Sequence, residues 1–489
     1  MQEGATPFVF TRFSSTRRRS AAGIDRTQSP ADHPGMARSF ACLLASLLFA
    51  SCSMPAQEQR STAPRCLTVE YHELSDVVID KDGSGPEPSI TDKRETDLIV
   101  WLGPRRLAVQ SGRVLRVWDY EAGVVRRIER TERTYDEVSV LHEVAFVQIE
   151  MRNRLELRSA LRSADIKLAD EWTPFDMSIT FGWPAEGDDV TLDRAEEKGE
   201  VRFSRAGRVV TNWRLSDHAL DDSQRAMFSR VLQRQTHIHP QAMSALVASG
   251  RLPSDLVFRH RSPGMDTTTR WQLAGVREDE WPGGIEGLTR TFGGGRFGRI
   301  AQMVWVPDAE GVPKRLSAER FTELAEAAGK ERRFADAAML LLESNLTTDD
   351  QAPLLRRLAA DADAKEQMAS FTRPIALSNR EPDKALALFD ELDRSKLSRP
   401  VFVDVFRVNA LRQKGEVDDA RELMLATLEA SPWITMAYKD LGDLFLDGFA
   451  TEKAWTAWEL GRRIAPGHRC WREVEEFEKK LRREFAERL

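Results

Sequence analysis

Thr236-His237-Ile238-His239-Pro240 places two imidazoles two residues apart, with His218 and His260 in the same stretch of chain. Imidazole is a ready zinc ligand, and several converging around an open position would make a catalytic centre. The pattern stops short of that. No carboxylate–histidine motif of the His-Glu-x-x-His kind accompanies it, and His239 directly before Pro240 fits a residue at the start of a helix. The cysteines, Cys42, Cys52, Cys66 and Cys470, stand too far apart for Cys-x-x-Cys chemistry. No Gly-x-Ser-x-Gly elbow offers a nucleophile. The expectation is a protein with no catalytic residues, no metal site and no cofactor, and hence not an enzyme.

Two further stretches carry the chemistry of loops. Asp80-Lys81-Asp82-Gly83-Ser84-Gly85 resembles the first half of an EF-hand calcium loop, with oxygens from Asp80, Asp82 and Ser84 and the sharp turn at Gly85. Pro86 and Pro88 stiffen the second half, and Thr91 stands where such a loop needs Glu, so a polar hairpin loop is expected. Gly293-Gly294-Gly295-Arg296-Phe297-Gly298-Arg299-Ile300 fits the glycine-rich loop of protein kinases, which lays backbone amides over phosphates. None of the later motifs a kinase requires is present, so these glycines read as a flexible hinge between domains.

The elements that would position any site are legible in composition and pattern. A chain of 489 residues suggests about two to four domains. Its 41% hydrophobic content supports packed cores. Basic and acidic residues number 71 and 77, a net charge of -6, which argues against a dedicated nucleic-acid partner.

Leu43 to Pro55, LLASLLFASCSMP, is the longest uncharged apolar run. Preceded by Met36-Ala37-Arg38, the segment Ser39–Ala50 is shorter than the ~20 residues a spanning helix needs and fits the core of a secretory signal. Phe49-Ala50-Ser51-Cys52 resembles the lipobox of bacterial lipoproteins, with Phe49 in place of the usual Leu. That resemblance implies cleavage before Cys52 and a lipid on its thiol. Ser53, rather than Asp, implies the outer membrane, facing the periplasm. Residues 1–35 then read as a disordered upstream extension, 36–51 as the signal peptide and 52–65 as a flexible tether.

The last third is helical. Tyr438, Leu441, Gly442, Phe445, Ala454, Trp458, Gly461 and Pro466 resemble the tetratricopeptide pattern, and Ala420 and Pro432 recur one period of 34 residues earlier. Weaker copies are read around Phe321–Leu341 and Ala385–Phe389. The resemblance implies a repeat solenoid over 316–489, closed by a capping helix from Cys470 onward with Trp471, Val474, Phe477, Leu481, Phe485 and Leu489 on one face. It also implies a groove for a protein partner lined by Phe402, Val405, Asn409, Arg412, Lys439, Asp443 and Leu446.

From Cys66 to Pro307 the text turns to short runs rich in Val, Ile, Trp and Thr, such as TDLIVWLG and RVVTNWRL, separated by turn residues. Antiparallel meanders are expected over 66–310, with helical insertions at about 140–169 and in DDSQRAMFSRVLQRQ–PQAMSALVASG. Sheet, helix and sheet on an exported chain resemble the Lol-type lipoprotein-carrier half-barrel, which implies an apolar cavity. The apolar run Ile300–Val306 reads as a strand, and the domain boundary is placed within 306–317. The fold class expected is α+β and multidomain, an antiparallel β-rich domain with helical insertions followed by an all-α solenoid. The function expected is a membrane-tethered envelope interaction protein. The alternative is a carrier or sensor of a hydrophobic ligand held in the β-rich domain.

Overall fold

A computed structural model describes residues 65–79, 90–164, 173–262, 265–348 and 362–489. The expected signal segment, the lipobox-like stretch with Cys52, the expected tether before Arg65 and the calcium-like loop at 80–85 lie outside the described residues.

The β-branched and aromatic runs fold as strands because alternate side chains can then be buried on one face. They are β1 (Arg65–Ile79), β2 (Ile90–Gly103), β3 (Arg106–Ser111), β4 (Val114–Asp119), β5 (Val124–Glu129), β6 (Thr134–Ser139), β7 (Asp193–Glu197), β8 (Glu200–Arg205), β9 (Arg208–Ala219), β10 (Arg251–Ser262), β11 (Met265–Glu280) and β12 (Thr289–Arg290). Among the described residues they form one sheet in the order β12-β6-β5-β4-β3-β2-β1-β11-β10-β9-β8-β7. Two antiparallel meanders, β1 to β6 and β7 to β11, are joined where β1 pairs with β11 from Arg65↔Glu280 to Ile79↔Met265. At the hairpin between β4 and β5 the turn Glu121-Ala122-Gly123 closes with Gly123 at φ 71° and Ala122 N–H donating to Asp119.

The main core lies on the face carrying Leu67, Val69, Tyr71, Val100, Leu107 and Trp118. The opposite face holds a smaller cluster, Cys66, Trp101, Leu115, Val117 and Ile128, covered by Trp281, Ile285 and Leu288. Those three belong to a strap that leaves β11, crosses the back of the sheet and lays β12 beside β6. Arriving that way, β12 runs parallel to β6, with Thr289↔Thr134 and Arg290↔Tyr135 in register. The sheet is therefore mixed, not wholly antiparallel as expected. It is also open: β7 and β12 end its two edges and do not meet. The expected half-barrel is thus absent, and the space it would enclose is filled by side chains such as Trp118, Phe203, Phe228 and Trp271, all fully buried.

Helices are inserted where apolar residues recur every three to four positions. They are α1 (Leu141–Ser163), α2 (Pro174–Phe181), α3 (Asp222–Gln235) and α4 (Pro240–Ala248). The α3 helix packs on β2 and β3. Pro240 starts α4, and Gly250, at φ 65°, ends the turn after it. A fifth helix, α5 (Gly295–Trp305), replaces the strand expected at Ile300–Val306. The reason is visible in its spacing: Phe297, Ile300, Ala301 and Val304 are buried on one helical face.

The helical region continues with α6 (Ala318–Lys330), α7 (Phe334–Thr348), α8 (Ala362–Leu377), α9 (Pro382–Glu391), α10 (Val403–Lys414), α11 (Val417–Ala430), α12 (Thr435–Asp447), α13 (Thr451–Ile464) and α14 (Trp471–Glu484). Successive helices pack as pairs, α6 on α7, α8 on α9, α10 on α11 and α12 on α13. Residues 62–489 make one compact unit, and one apolar core runs from the sheet into the helices. The α5 helix packs on α11 and α13, and α13 packs on α1 and β6. At that junction Arg290 is buried, donates to both carboxylate oxygens of Glu459 at 2.9 Å and lies over the Trp305 ring. Among the described residues no helix is long and apolar enough to cross a membrane.

Candidate functional site

The helical region meets the sheet around a cleft of about 730 Å³. Its walls come from distant parts of the chain. The β5–β6 hairpin supplies Arg127, Asp136 and Glu137, and the first turns of α1 supply His142, Glu143, Phe146 and Val147. The end of α2 and the residues after it supply Thr180, Phe181 and Trp183. They are placed by Gly182, at φ 62°, where a Cβ would come within 3.2 Å of the Gln233 carbonyl. The glycine loop brings Phe292, Gly293 and Gly294, and the α12–α13 turn brings Phe449 to Lys453. Arg488 closes the remaining side, its guanidinium 4.9 Å over the Trp183 ring.

The charges divide into those spoken for and those left over. Trp118 Nε1–H donates to Glu143 at 2.8 Å and Arg234 Nε–H donates to its other oxygen at 3.0 Å. Burial pushes the Glu143 carboxyl up, but Arg234, His142 and the Trp118 N–H outweigh it and hold it below its ordinary value. Glu137 accepts from Arg126 at 2.6 Å. Asp136 has no side-chain partner of this kind among the described residues. Burial, reinforced by Glu452 and opposed by Arg127 and Arg116, raises its carboxyl to about 6. Burial foremost, with Arg234 and Arg116 adding, lowers the His142 imidazole below its ordinary range against the pull of Glu143 and Glu452. At the other side, burial and then Arg234 lower Arg488, and its Nη1 is buried without an acceptor among the described residues.

The histidines and cysteine singled out in the sequence lie elsewhere. His239 caps α4: its Nδ1 accepts from Gln241 N–H at 3.3 Å and its Nε2 meets Asp188 at 2.9 Å. His237 and His260 stack with ring centroids 4.2 Å apart, and His260 bonds Thr180 at 3.2 Å. Among the described residues no three His, Cys, Asp or Glu side chains gather closely enough to hold a metal ion. Cys66 is buried, which pushes its thiol up to about 11. Of the glycine loop, Gly293 and Gly294 line the cleft, while Gly298 is a packing residue whose Cβ would fall 2.2 Å from the Gly293 carbonyl oxygen.

The seven groove residues part company. Phe402 and Val405 are buried, Leu446 is half-buried and Asn409 is exposed. Lys439, Asp443 and Arg412 are brought together: Lys439 lies 2.8 Å from Asp443 and Arg412 3.8 Å from it, with Asp447 and Glu473 as further partners. None of the seven lines the cleft.

No family model matches the chain, and no curated protein matches it. The tetratricopeptide and lipoprotein-carrier resemblances are therefore not carried by any family match, and the half-barrel is overturned by the open sheet. Four of the eight residues that resembled the tetratricopeptide pattern have a local packing role. Gly442 and Gly461 make room for Trp458 and Trp471, Tyr438 O–H donates to the Pro432 carbonyl at 2.9 Å, and α13 is pinned to the sheet. The C-terminal helix turns the expected apolar face inward, with Trp471, Val474 and Leu481 buried. The α14 helix packs on α1, and Phe485 beyond it stacks on Trp183 at 5.1 Å.

The cleft escaped the sequence reading. The one available signal was Asp136-Glu137 and His142-Glu143 bracketing Val138-Ser139-Val140-Leu141, polar pairs placed where a strand gives way to a helix.

Proposed function

We propose that the protein is a binding protein of the cell envelope, tethered through a lipid on Cys52, that takes a small amphipathic molecule in the cleft between its sheet and its helices. One observation carries this reading. The cleft has the size usual for small-molecule sites, roughly 300–1,000 Å³, and combines aromatic walls with ionisable groups that lack side-chain partners among the described residues. Ligand binding here does not need a closed barrel, because two parts of one compact unit form the walls. The proposal is of a binder and not a catalyst.

The test is occlusion. Gly294 lines the cleft, a Cβ there meets no heavy atom within 4 Å, and its backbone is extended. Gly294→Trp should fold normally and abolish the thermal stabilisation that wild type shows against a panel of amphipathic amines, acids and alcohols. Retained stabilisation would place binding elsewhere. The tether is tested by Cys52→Ala, which should move the protein from the membrane fraction to the soluble one.

A protein partner on the helical region is the second reading. What favours it is the cluster of Arg412, Lys439 and Asp443, partly exposed and able to exchange its ion pairs for those of a partner. Loss of an envelope partner from pull-downs with Lys439→Glu, but not with Gly294→Trp, would support that reading over the cleft.

A further inference from the structure

Most charged side chains on the cleft wall are matched within the protein. Glu143 accepts from Arg234 at 3.0 Å and from Trp118 at 2.8 Å. Glu137 is held from outside the cleft, by Arg126 at 2.6 Å and by the buried Arg290 at 3.6 Å. Asp136 stands directly opposite Arg127 on the neighbouring strand. Glu452 and Lys453 are adjacent at the start of α13 and both exposed, so water serves them. Arg488 is the exception. It is half-buried, its Nη1 is closed to solvent, and its guanidinium has no acceptor among the described residues. The neighbouring Glu487 is exposed and makes no ion pair with it. A guanidinium carries five N–H donors in a planar fork, and withdrawing a donor from water without an acceptor is unfavourable.

The packing fixes where this fork stands. Its central carbon lies 4.9 Å over the Trp183 ring, and Phe485 stacks on the same ring at 5.1 Å. Gly182 sets Trp183 beside the end of α3, since a Cβ on it would come within 3.2 Å of the Gln233 carbonyl. Gln233 lines the cleft as well, and its side-chain amide has no hydrogen-bond partner among the described residues. Stacking occupies a face of the Arg488 guanidinium and leaves the edge for acceptors lying in its plane.

Resting on the reading of the cleft as a small-molecule site, we infer that its ligand is an organic carboxylate on an apolar body, received by Arg488 and Gln233 at the Trp183 end. A carboxylate has two acceptor oxygens in one plane and meets a guanidinium edge through two parallel hydrogen bonds. It supplies the acceptors that the protein itself does not offer there. The apolar body would lie along the aromatic wall, where Phe181 and Phe146 line the cleft and Phe146 is 40% exposed. An ammonium group would add donors where donors already lack acceptors.

The experiment titrates the full chain by calorimetry at pH 7.5 with three probes of like shape and different charge, 3-phenylpropionate, 3-phenylpropanol and 3-phenylpropylamine. The acid is expected to bind about tenfold more tightly than the other two, or better. Arg488→Gln should remove that advantage and leave the alcohol unchanged, which also reports that the variant is folded. Arg488→Lys keeps the charge without the fork and should weaken the acid about threefold or more; it carries the test alone if Arg488→Gln does not fold. Arg113→Gln removes the same charge from an exposed turn outside the cleft and should leave the acid unchanged. Equal or tighter binding of the amine or the alcohol, acid binding indifferent to the Arg488 variants, or equal weakening by Arg113→Gln overturns the carboxylate assignment. If the binding seen still disappears in Gly294→Trp, the cleft stands as a site of another specificity. If none of the three probes binds, both readings fall.

Discussion

Gly442 and Asp136 show two opposite ways in which single residues matter here. A Cβ on Gly442 would fall 2.1 Å from the Trp458 indole nitrogen, and Trp458 cannot yield because it is buried and donates to the Lys439 carbonyl at 3.2 Å. Gly442→Ala should cost roughly 1–3 kcal/mol by overpacking, seen as a lowered midpoint in urea with an unchanged slope. A midpoint equal to wild type would mean that the two helices are not in close contact there. Asp136 is the reverse case, a residue whose charge the fold resists. Its carboxyl is raised by burial and Glu452, so the ionised form is disfavoured in the folded state relative to the unfolded one. Asp136→Asn should therefore raise the melting temperature at pH 7. The gain should shrink as pH falls from about 6 and be nearly gone by about pH 3, below the ordinary carboxyl value of 3.8, where folded and unfolded chains both carry the proton. A gain that persisted undiminished at about pH 3 would show that something other than charge is responsible.

At the scale of elements, α5 is the joint. Its apolar face enters the common core while Arg296 and Arg299 reach Glu429 of α11 at 3.1 and 2.8 Å. These pairs are largely exposed and contribute little individually, so register comes from the buried face and from Gly298. Because the Gly298 Cβ would meet the backbone oxygen of Gly293 at 2.2 Å, no side-chain rotation can relieve the clash. Gly298→Ala should displace the loop that carries Phe292 to Gly294, destabilise the protein by roughly 1–3 kcal/mol and disturb the cleft. Gly294→Ala, with open space around it, should do neither. Indistinguishable melting curves for the two variants would contradict the helix described here.

At the scale of the whole molecule, the sheet and the helical region share one core, and the buried Arg290 is tied to Glu459 of α13 and to the Glu137 carbonyl at 2.8 Å. A boundary at 306–317 separates two kinds of secondary structure, but the core runs through it. Far-ultraviolet circular dichroism at helix and strand wavelengths and tryptophan fluorescence should then report one coincident thermal transition. Arg290→Met removes the donor but keeps much of the apolar stem. It should cost about 2–3 kcal/mol, less than a fully buried pair because Glu459 can regain water, and should lower the transition without splitting it. Two separate transitions in wild type would show that the helices fold on their own.

What the chain determined by itself is local. TDLIVWLG and RVVTNWRL are strands where their alternation puts them, and the helical text after residue 316 is helical. These outcomes arise from residues a few positions apart, whose propensities and turn chemistry act without help from the rest of the molecule. Ile300–Val306 misled because a short apolar run suits strand or helix alike, and only the upstream Phe297 and the packing on α11 and α13 decide between them. The opening of the sheet, the parallel β12 and the joining of β1 to β11 were decided by long-range pairing, which no local pattern encodes. The cleft belongs to the same class. Asp136, His142 and Glu452 read as ordinary polar residues of a strand, a helix and a turn. They share a site because tertiary packing brings them to the walls of one cleft, where partial burial of Asp136 and His142 supplies electrostatics that the sequence leaves unspoken, while Glu452 stays exposed.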